Sequence, residues 1–179
     1  MLSEEELIQR CINKDRIAQK ELYETYSPLF FAVCLRYMPT VEDAEDVLIM
    51  GFTVIFSKLD TFKNEGSFEG WMRKIIINTA LSTIRFNHKY YETKDINKDV
   101  EKKKIILSEN TVYSQLNVKD ILNEIQQMPT GYRTVFNLFV IEGYSYEEVA
   151  NLMGINKGTV RSQLARARKM LQKKLEIYR

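Results

Sequence analysis

Apolar residues recur at three- and four-residue steps along almost the whole of this 179-residue chain, and nowhere settle into a sustained two-residue alternation. No Asn-Gly or Asp-Gly dipeptide is present to turn a hairpin. Such a chain buries its apolar side chains as helices packed on one another, so the expected fold is all-α. With 45% hydrophobic and 28% charged residues, seven Gly and three Pro, it has the balance of a folded protein, and its length suits one ordinary domain or two small ones.

Several function classes drop out early. The most apolar run without a charge, Val47 to Phe56 with Thr53 inside it, is ten residues, about half of what a bilayer crossing needs. The acidic start Met1-Leu2-Ser3-Glu4-Glu5-Glu6 is unlike the basic opening of a signal peptide, so a cytoplasmic protein without membrane insertion is expected. Two cysteines, Cys11 and Cys34, and one histidine, His88, do not make a four-ligand zinc site. Both cysteines fall on apolar helix faces, where they read as small buried thiols. No phosphate loop or metal cluster is evident, so neither catalysis nor a cofactor is expected.

The formal charge of +2 conceals an asymmetry: residues 157–179 carry eight Lys/Arg against the single Glu176. A second basic stretch, 72–91, holds Arg73, Lys74, Arg85 and Lys89 and no acid, while 42–69 holds seven acids and only Lys58 and Lys63. Two basic patches flanking acidic ground suit nucleic acid at two places and a basic protein partner between them.

The expected helices follow from caps and periodicity. Ser3-x-x-Glu6 is a capping box. Asp15 caps a second helix that is expected to break near Pro28 and resume to about Met38. Thr40 caps a third, to about Leu59, with a buried stripe of Ala44, Val47, Leu48, Gly51, Phe52, Ile55, Phe56 and Leu59. Residues 60–70 read as a loop carrying Phe62 and Phe68, followed by a helix from about Glu69 to Phe86. That helix has an apolar face of Ile77, Ala80, Leu81 and Ile84, and a separate stripe of Trp71, Lys74, Asn78, Ser82 and Arg85.

Periodicity fails over 87–113, which marks a linker between domains at 1–90 and 114–179, its core at 91–113. At ~3.3 Å per residue such a segment spans roughly 90 Å, or about 26 base pairs of duplex. Beyond it, helices are expected at about 116–128 and 130–142. Ser145-Tyr146-Glu147-Glu148 then forms a second capping box, Gly154 ends the helix, and Asn156 caps the last one. Two helices around a short Gly-containing turn are the helix-turn-helix pattern.

In the last helix Val160, Leu164, Ala167, Leu171 and Leu175 share one face, while Ser162, Ala165, Arg166, Lys169 and Lys173 occupy the other, with Arg161 at its edge. A recognition helix needs this division, because its back must pack while its front reaches base edges. Lys157, Gly158 and Thr159 sit at its N-terminus, where N–H groups favour phosphate. The Trp71 stripe with its aromatic loop suits unstacked bases, although Phe62, Phe68 and Trp71 equally suit a small core. On the third helix Ile49, Met50 and Val54 lie off the buried stripe among Asp43, Glu45, Asp46 and Thr53, which is either a protein-binding face or a surface covered by neighbouring helices.

Taken in order, Glu42-Asp43-Ala44-Glu45-Asp46-Val47, Phe68-x-x-Trp71, Ile77-Asn78-Thr79-Ala80, Gly143-Tyr144-Ser145-Tyr146-Glu147-Glu148-Val149-Ala150 and Gly158-Thr159-Val160-Arg161-Ser162 resemble the extracytoplasmic-function sigma factors of bacterial RNA polymerase. The resemblance covers about 3–90 and 114–175 and implies two helical domains, regions two and four, joined by a flexible linker threading toward the RNA exit channel. It implies that Asp43, Asp46, Ile49, Met50 and Phe52 dock on the clamp helices of the polymerase's largest subunit, with a further contact to the flap region. It implies that the loop with Phe62, Asn64, Ser67 and Phe68 holds a flipped −10 base while Trp71, Lys74, Asn78, Thr79 and Arg85 contact the strand. Lys157, Gly158, Thr159, Arg161, Ser162, Ala165, Arg166 and Lys169 would read the −35 element, with Arg161, Ser162 and Arg166 setting specificity. A membrane-bound anti-sigma factor is a further implied partner.

The chain departs from the family where Ile49-Met50 replace a common Gln-Glu pair and Gly51 replaces a common Ala, which implies a more apolar docking face. The residues also fit an autonomous helix-turn-helix regulator, which binds duplex alone and commonly as a symmetric dimer. A polymerase-binding decoy without promoter recognition is a third possibility.

Overall fold

A helix can start where a side chain stands in for the backbone partners missing from its first turn, and the chain supplies such residues where the sequence analysis locates them. The computed structural model describes residues 3–93 and 118–175. Helix α1 (Glu4–Ile12) opens with the complete capping box of Ser3 and Glu6. Asp15 caps α2 (Arg16–Tyr37): its carboxylate accepts from the Ile17 and Ala18 N–H groups and from the Arg10 guanidinium at 2.6 and 2.8 Å. Helix α3 spans Val41–Lys58, a single 3₁₀ turn covers Leu59–Thr61, and α4 runs from Phe68 to Thr93. Then come α5 (Val118–Gln126), α6 (Thr130–Phe136), a π turn at Asn137–Ile141, α7 (Tyr146–Met153) and α8 (Lys157–Leu175). Among the described residues there is no strand, and no helix is long and apolar enough to cross a membrane.

Three expectations need correction. Helix α2 does not break at Pro28 but continues through it. The proline is exposed, where water can serve the carbonyl four residues back that loses its donor. Leu22 on one side and Phe30, Val33 and Cys34 on the other are buried and anchor both halves. Helix α4 begins one residue early, at Phe68, and runs seven residues beyond Phe86. The helix expected over 130–142 is two pieces: the Glu142 N–H reaches back to the Asn137 carbonyl at 2.9 Å, a five-residue step that turns Asn137 and Leu138 inward and leaves Val140 and Ile141 exposed.

The chain divides into two compact units, Met1–Leu35 with Glu42–Lys98, and Arg36–Val41 with Asp99–Arg179. Most of the linker expected at 91–113 lies outside the described residues. In the first unit the expected stripe is buried at Ala44, Val47, Leu48, Gly51, Phe52, Ile55 and Leu59 and half-buried at Phe56, and Gly51 sits so close to α4 that a Cβ there would run into Ile76 Cδ1. Gly51 therefore marks a close helix crossing. Cys11 and Cys34 are both buried, and burial, aided by the Asp15 charge, pushes the Cys11 thiol up to about 11. Such a thiol stays protonated and inert.

In the second unit α8 packs against α5, α6 and α7, and Ile125, Met128, Val135, Leu138, Val149, Val160, Leu164 and Ala167 form the core. Arg133 is buried with them, 3% exposed. Its Nη1 donates to the Gln126 carbonyl at 2.9 Å, supplying a donor to the C-terminal end of α5. Burial lowers its pKa to about 10, so it remains a cation at neutral pH.

The Asp15 carboxyl is held below the ordinary carboxylate range, chiefly by Arg10 and then by the Ala18 and Ile17 N–H groups. A carboxyl depressed on folding adds stability above its unfolded pKa and loses that contribution as pH falls. Asp15→Asn is therefore expected to lower the Tm at pH 7, with the gap to wild type beginning to narrow below about pH 4 and closing as pH falls through the lowered folded pKa. Circular dichroism melts at stepped pH check this, and a gap that stays constant or widens as pH falls would count against it.

Candidate nucleic-acid interface

Helices α7 and α8 are delimited by three local devices. Ser145 Oγ accepts from the Glu148 N–H while the Glu148 carboxylate accepts from the Ser145 N–H at 2.8 Å, which starts α7. Gly154, at φ 66°, takes the left-handed conformation that ends it. Asn156 Oδ1 then accepts from both the Thr159 N–H at 2.8 Å and its hydroxyl at 3.1 Å, which starts α8. All three are where the sequence puts them.

On α8, Val160, Leu164 and Ala167 are buried and Leu171 is half-buried, while Lys157, Gly158, Arg161, Ser162, Ala165, Arg166, Lys169 and Lys173 are exposed and Thr159 is half-buried. The helix thus has one packed side and one open basic side. Its cations are held by residues of the preceding helices that sequence periodicity does not reveal. Lys157 Nζ pairs with Glu147 at 2.8 Å, Arg161 lies over the Tyr146 ring at 5.5 Å, and Arg166 Nη1 donates to the Tyr132 hydroxyl at 3.1 Å. Phe139 packs on Tyr146 at 4.4 Å between ring centres and carries Arg168 at 5.9 Å. Tyr132 stands 34 positions from Arg166, and no local pattern links them.

In the first unit, Lys74, Asn78, Ser82 and Arg85 are exposed along α4, with Trp71 half-buried at the head of the stripe. Ser82 Oγ donates to the Asn78 carbonyl at 2.8 Å and accepts from Arg85 at 3.3 Å; Thr79, half-buried, donates to the Ile75 carbonyl. The opposite face, Met72, Ile76, Ile77, Ala80 and Leu81, is buried. The loop before α4 turns through Asn64 (φ 56°) and Gly66 (φ 91°), with Lys63 to Ser67 exposed. Ser67 Oγ accepts from the Gly70 N–H at 3.0 Å and so helps start α4.

Phe68 is a correction to the expected site. It is 1% exposed, in contact with Phe62 at 5.1 Å, Trp71 at 5.8 Å and Tyr26 at 6.0 Å between ring centres. Its ring is therefore the floor under Phe62 and Trp71, and it offers no face to a base. Phe52 is a second correction: at 2% exposure it belongs to the core beside Phe30, with the Tyr23 ring edge-on to it, and not to the docking face.

The rest of that face is open. Ile49 is 58% and Met50 42% exposed, with Glu42, Glu45, Asp46 and Thr53 exposed around them and Asp43 and Val54 half-buried. Burial under neighbouring helices of this unit is thereby ruled out for Ile49 and Met50. Beside them a shallow groove of about 330 Å³ runs between α2 and α3, lined by Tyr23, Ser27, Pro28, Phe31, Glu45, Leu48 and Ile49.

Comparison with known proteins matches residues 22–90 to the family model for sigma-70 region 2 and residues 119–171 to that for sigma-70, region 4, together more than half of the chain. The chain is 27% identical over 183 residues to the ECF RNA polymerase sigma-E factor of Haemophilus influenzae, covering 98% of this chain and 96% of that protein. It is 26% identical over 186 residues to the RNA polymerase sigma-H factor of Pseudomonas aeruginosa, covering 97% and 94%. Among solved structures, the sigma factor RpoE in complex with the anti-sigma factor NepR from Bartonella quintana aligns with a TM-score of 0.57 at 23% identity, over 89% of this chain and 98% of that one, which shows the fold.

Truncating the buried floor ring is expected to damage the first unit more than truncating the ring above it. Phe68→Ala removes a fully buried aromatic, at about 3–5 kcal/mol, whereas Phe62→Ala at a half-buried position costs less. Denaturant unfolding followed by the fluorescence of Trp71, the single tryptophan, measures both; equal losses would contradict this ordering.

Proposed function

The chain belongs to the sigma-70 family, in its extracytoplasmic-function branch, and on that premise we propose how its surfaces divide the work of a factor that binds core RNA polymerase and directs promoter-specific initiation. Asp43, Asp46, Ile49 and Met50 dock on the clamp helices of the polymerase's largest subunit, the two apolar side chains burying surface and the acids steering a basic partner. The second unit makes a further contact with the flap region. Catalysis stays with the polymerase, and the protein acts in the cytoplasm.

At the −10 element a base leaves the stack, which costs a few kcal/mol. Stacking on the Phe62 and Trp71 rings offsets that by about 1–3 kcal/mol per base. Asn64, Ser67, Asn78 and Thr79 supply hydrogen bonds and Lys74 and Arg85 neutralise phosphates. At the −35 element Lys157, Gly158 and Thr159 take phosphate at the start of α8, while Arg161, Ser162, Ala165, Arg166 and Lys169 face the major groove. Arg is the residue best shaped to pair bidentately with guanine.

The observation that carries this reading is the exposed stripe of Lys74, Asn78, Ser82 and Arg85 beside the half-buried Trp71. A regulator reading duplex through α8 alone has no use for a second basic face next to aromatic rings. An anti-sigma factor is proposed as a further partner, one that covers Ile49 and Met50 when polymerase does not.

Run-off transcription and DNA retention on a pool of bacterial promoter fragments test the assignment, with this protein alone, core polymerase alone and the two together. Specific retention and transcripts are expected only in the mixture. Ile49→Asp with Met50→Asp is expected to abolish association with core, and Asn78→Ala to impair opening of duplex while sparing a template already unpaired at −10. Arg166→Ala is expected to cost about 1–3 kcal/mol of discrimination at one −35 base pair. Specific retention by the protein alone, unchanged by polymerase, would instead mark an ordinary helix-turn-helix regulator.

A further inference from the structure

The three DNA-facing cations of α8 with visible partners are held in three chemically different ways. Lys157 faces the Glu147 carboxylate, which offsets its charge. Arg161 lies against the Tyr146 ring, a contact that keeps the guanidinium nearby but fixes no donor direction. Arg166 donates from Nη1 to the Tyr132 hydroxyl at 3.1 Å, which does fix a direction and leaves its charge uncompensated.

That difference matters for reading bases. A guanidinium carries five N–H donors in one rigid plane, and a bidentate pair with guanine uses two of them. One donor given to Tyr132 leaves four, enough for the guanine and a neighbouring phosphate. An exposed arginine without such an anchor must be ordered when it binds, and ordering a long side chain at an interface lowers affinity for the correct sequence. Tyr132 is itself half-buried on α6, and α6 packs directly on α8, so the anchor belongs to a rigid element.

We propose that Tyr132 is a positioning and specificity-determining residue for −35 recognition: its hydroxyl orients the Arg166 guanidinium for the base pair that Arg166 reads. This rests on the assignment of Arg166 to the −35 element made above. Tyr132 acts through Arg166 and needs no contact with DNA.

The test uses full-length protein with core polymerase. The probe is the promoter duplex that wild-type holoenzyme enriches from a random pool, together with versions in which each −35 base pair is replaced in turn. Competition binding is measured for wild type, Tyr132→Phe, Arg166→Ala and the double variant. Tyr132→Phe keeps the ring and removes only the hydroxyl, so its Tm and its affinity for core polymerase are expected to stay at the wild-type level. Its preference for the enriched base is expected to fall roughly three- to tenfold at a single base pair, the one at which Arg166→Ala abolishes preference. On the Arg166→Ala background Tyr132→Phe is expected to have no further effect.

Unchanged preference in Tyr132→Phe, or an equal loss of affinity for every sequence, would overturn the proposal, since phosphate binding or general packing moves all sequences together. Arg166→Ala that keeps full preference at every base pair would instead remove the premise, the −35 assignment of Arg166. The two failures are thus separable in one data set.

Discussion

A chain of aromatic rings ties the first unit together. Phe56 touches Phe52, Phe52 touches Phe30, Phe30 stacks on Tyr26, Tyr26 meets Phe68 edge-on, and Phe68 carries Phe62 and Trp71, each step between 5.1 and 6.1 Å. Four parts of the sequence, α2, α3, the loop before α4 and α4 itself, depend on that contact line. The loop needs it most, because Lys63, Asn64, Glu65, Gly66 and Ser67 are all exposed and contribute no core of their own. Without the floor ring, neither Phe62 nor Trp71 has a fixed orientation. Aromatic pairs suit this task since they combine large buried area with few rotatable bonds.

The second unit solves a different problem, holding a row of like charges on one side of a helix. The apolar back of α8 is anchored by burial, and its cations are spread over a carboxylate, a hydroxyl and two rings from α6, α7 and the π turn. Lys157 has its charge offset by Glu147, and Lys174 meets Glu124 of α5 at 3.4 Å. The rest keep their positive field facing outward, which favours a polyanion at a distance and orders the side chains before contact. Arg133 is the counter-example, a cation turned inward, where it supplies a donor to the end of α5 and is exposed to no ligand.

Much of this was readable before any coordinates, wherever a signal acts over four residues or fewer. The capping boxes at Ser3 and Ser145, the Asp15 and Asn156 caps and the Gly154 stop all stand as expected, because a cap is a contact between near neighbours in the chain. The buried stripe of α3 and the two-sided character of α8 were equally legible from helical periodicity. The corrections trace to packing. Pro28 is by local rule a helix breaker, yet the packing of Phe30, Val33 and Cys34 carries α2 through it. The resemblance places Phe52 on the docking face and Phe68 among the base-holding residues, yet both are buried, Phe52 as helical periodicity expects and Phe68 under rings distant in sequence.

The sequence by itself therefore determined the helical class, the positions of most helix starts, the family to which the chain belongs and the two basic faces. These follow from spacing, residue type and charge, all carried by short stretches. Tertiary structure alone decided which aromatic rings are exposed and which support them, that Ile49 and Met50 remain uncovered in their own unit, and which neighbours each arginine of α8 meets. Those outcomes depend on side chains tens of residues apart meeting at van der Waals or hydrogen-bond distance, and no local pattern encodes such a meeting.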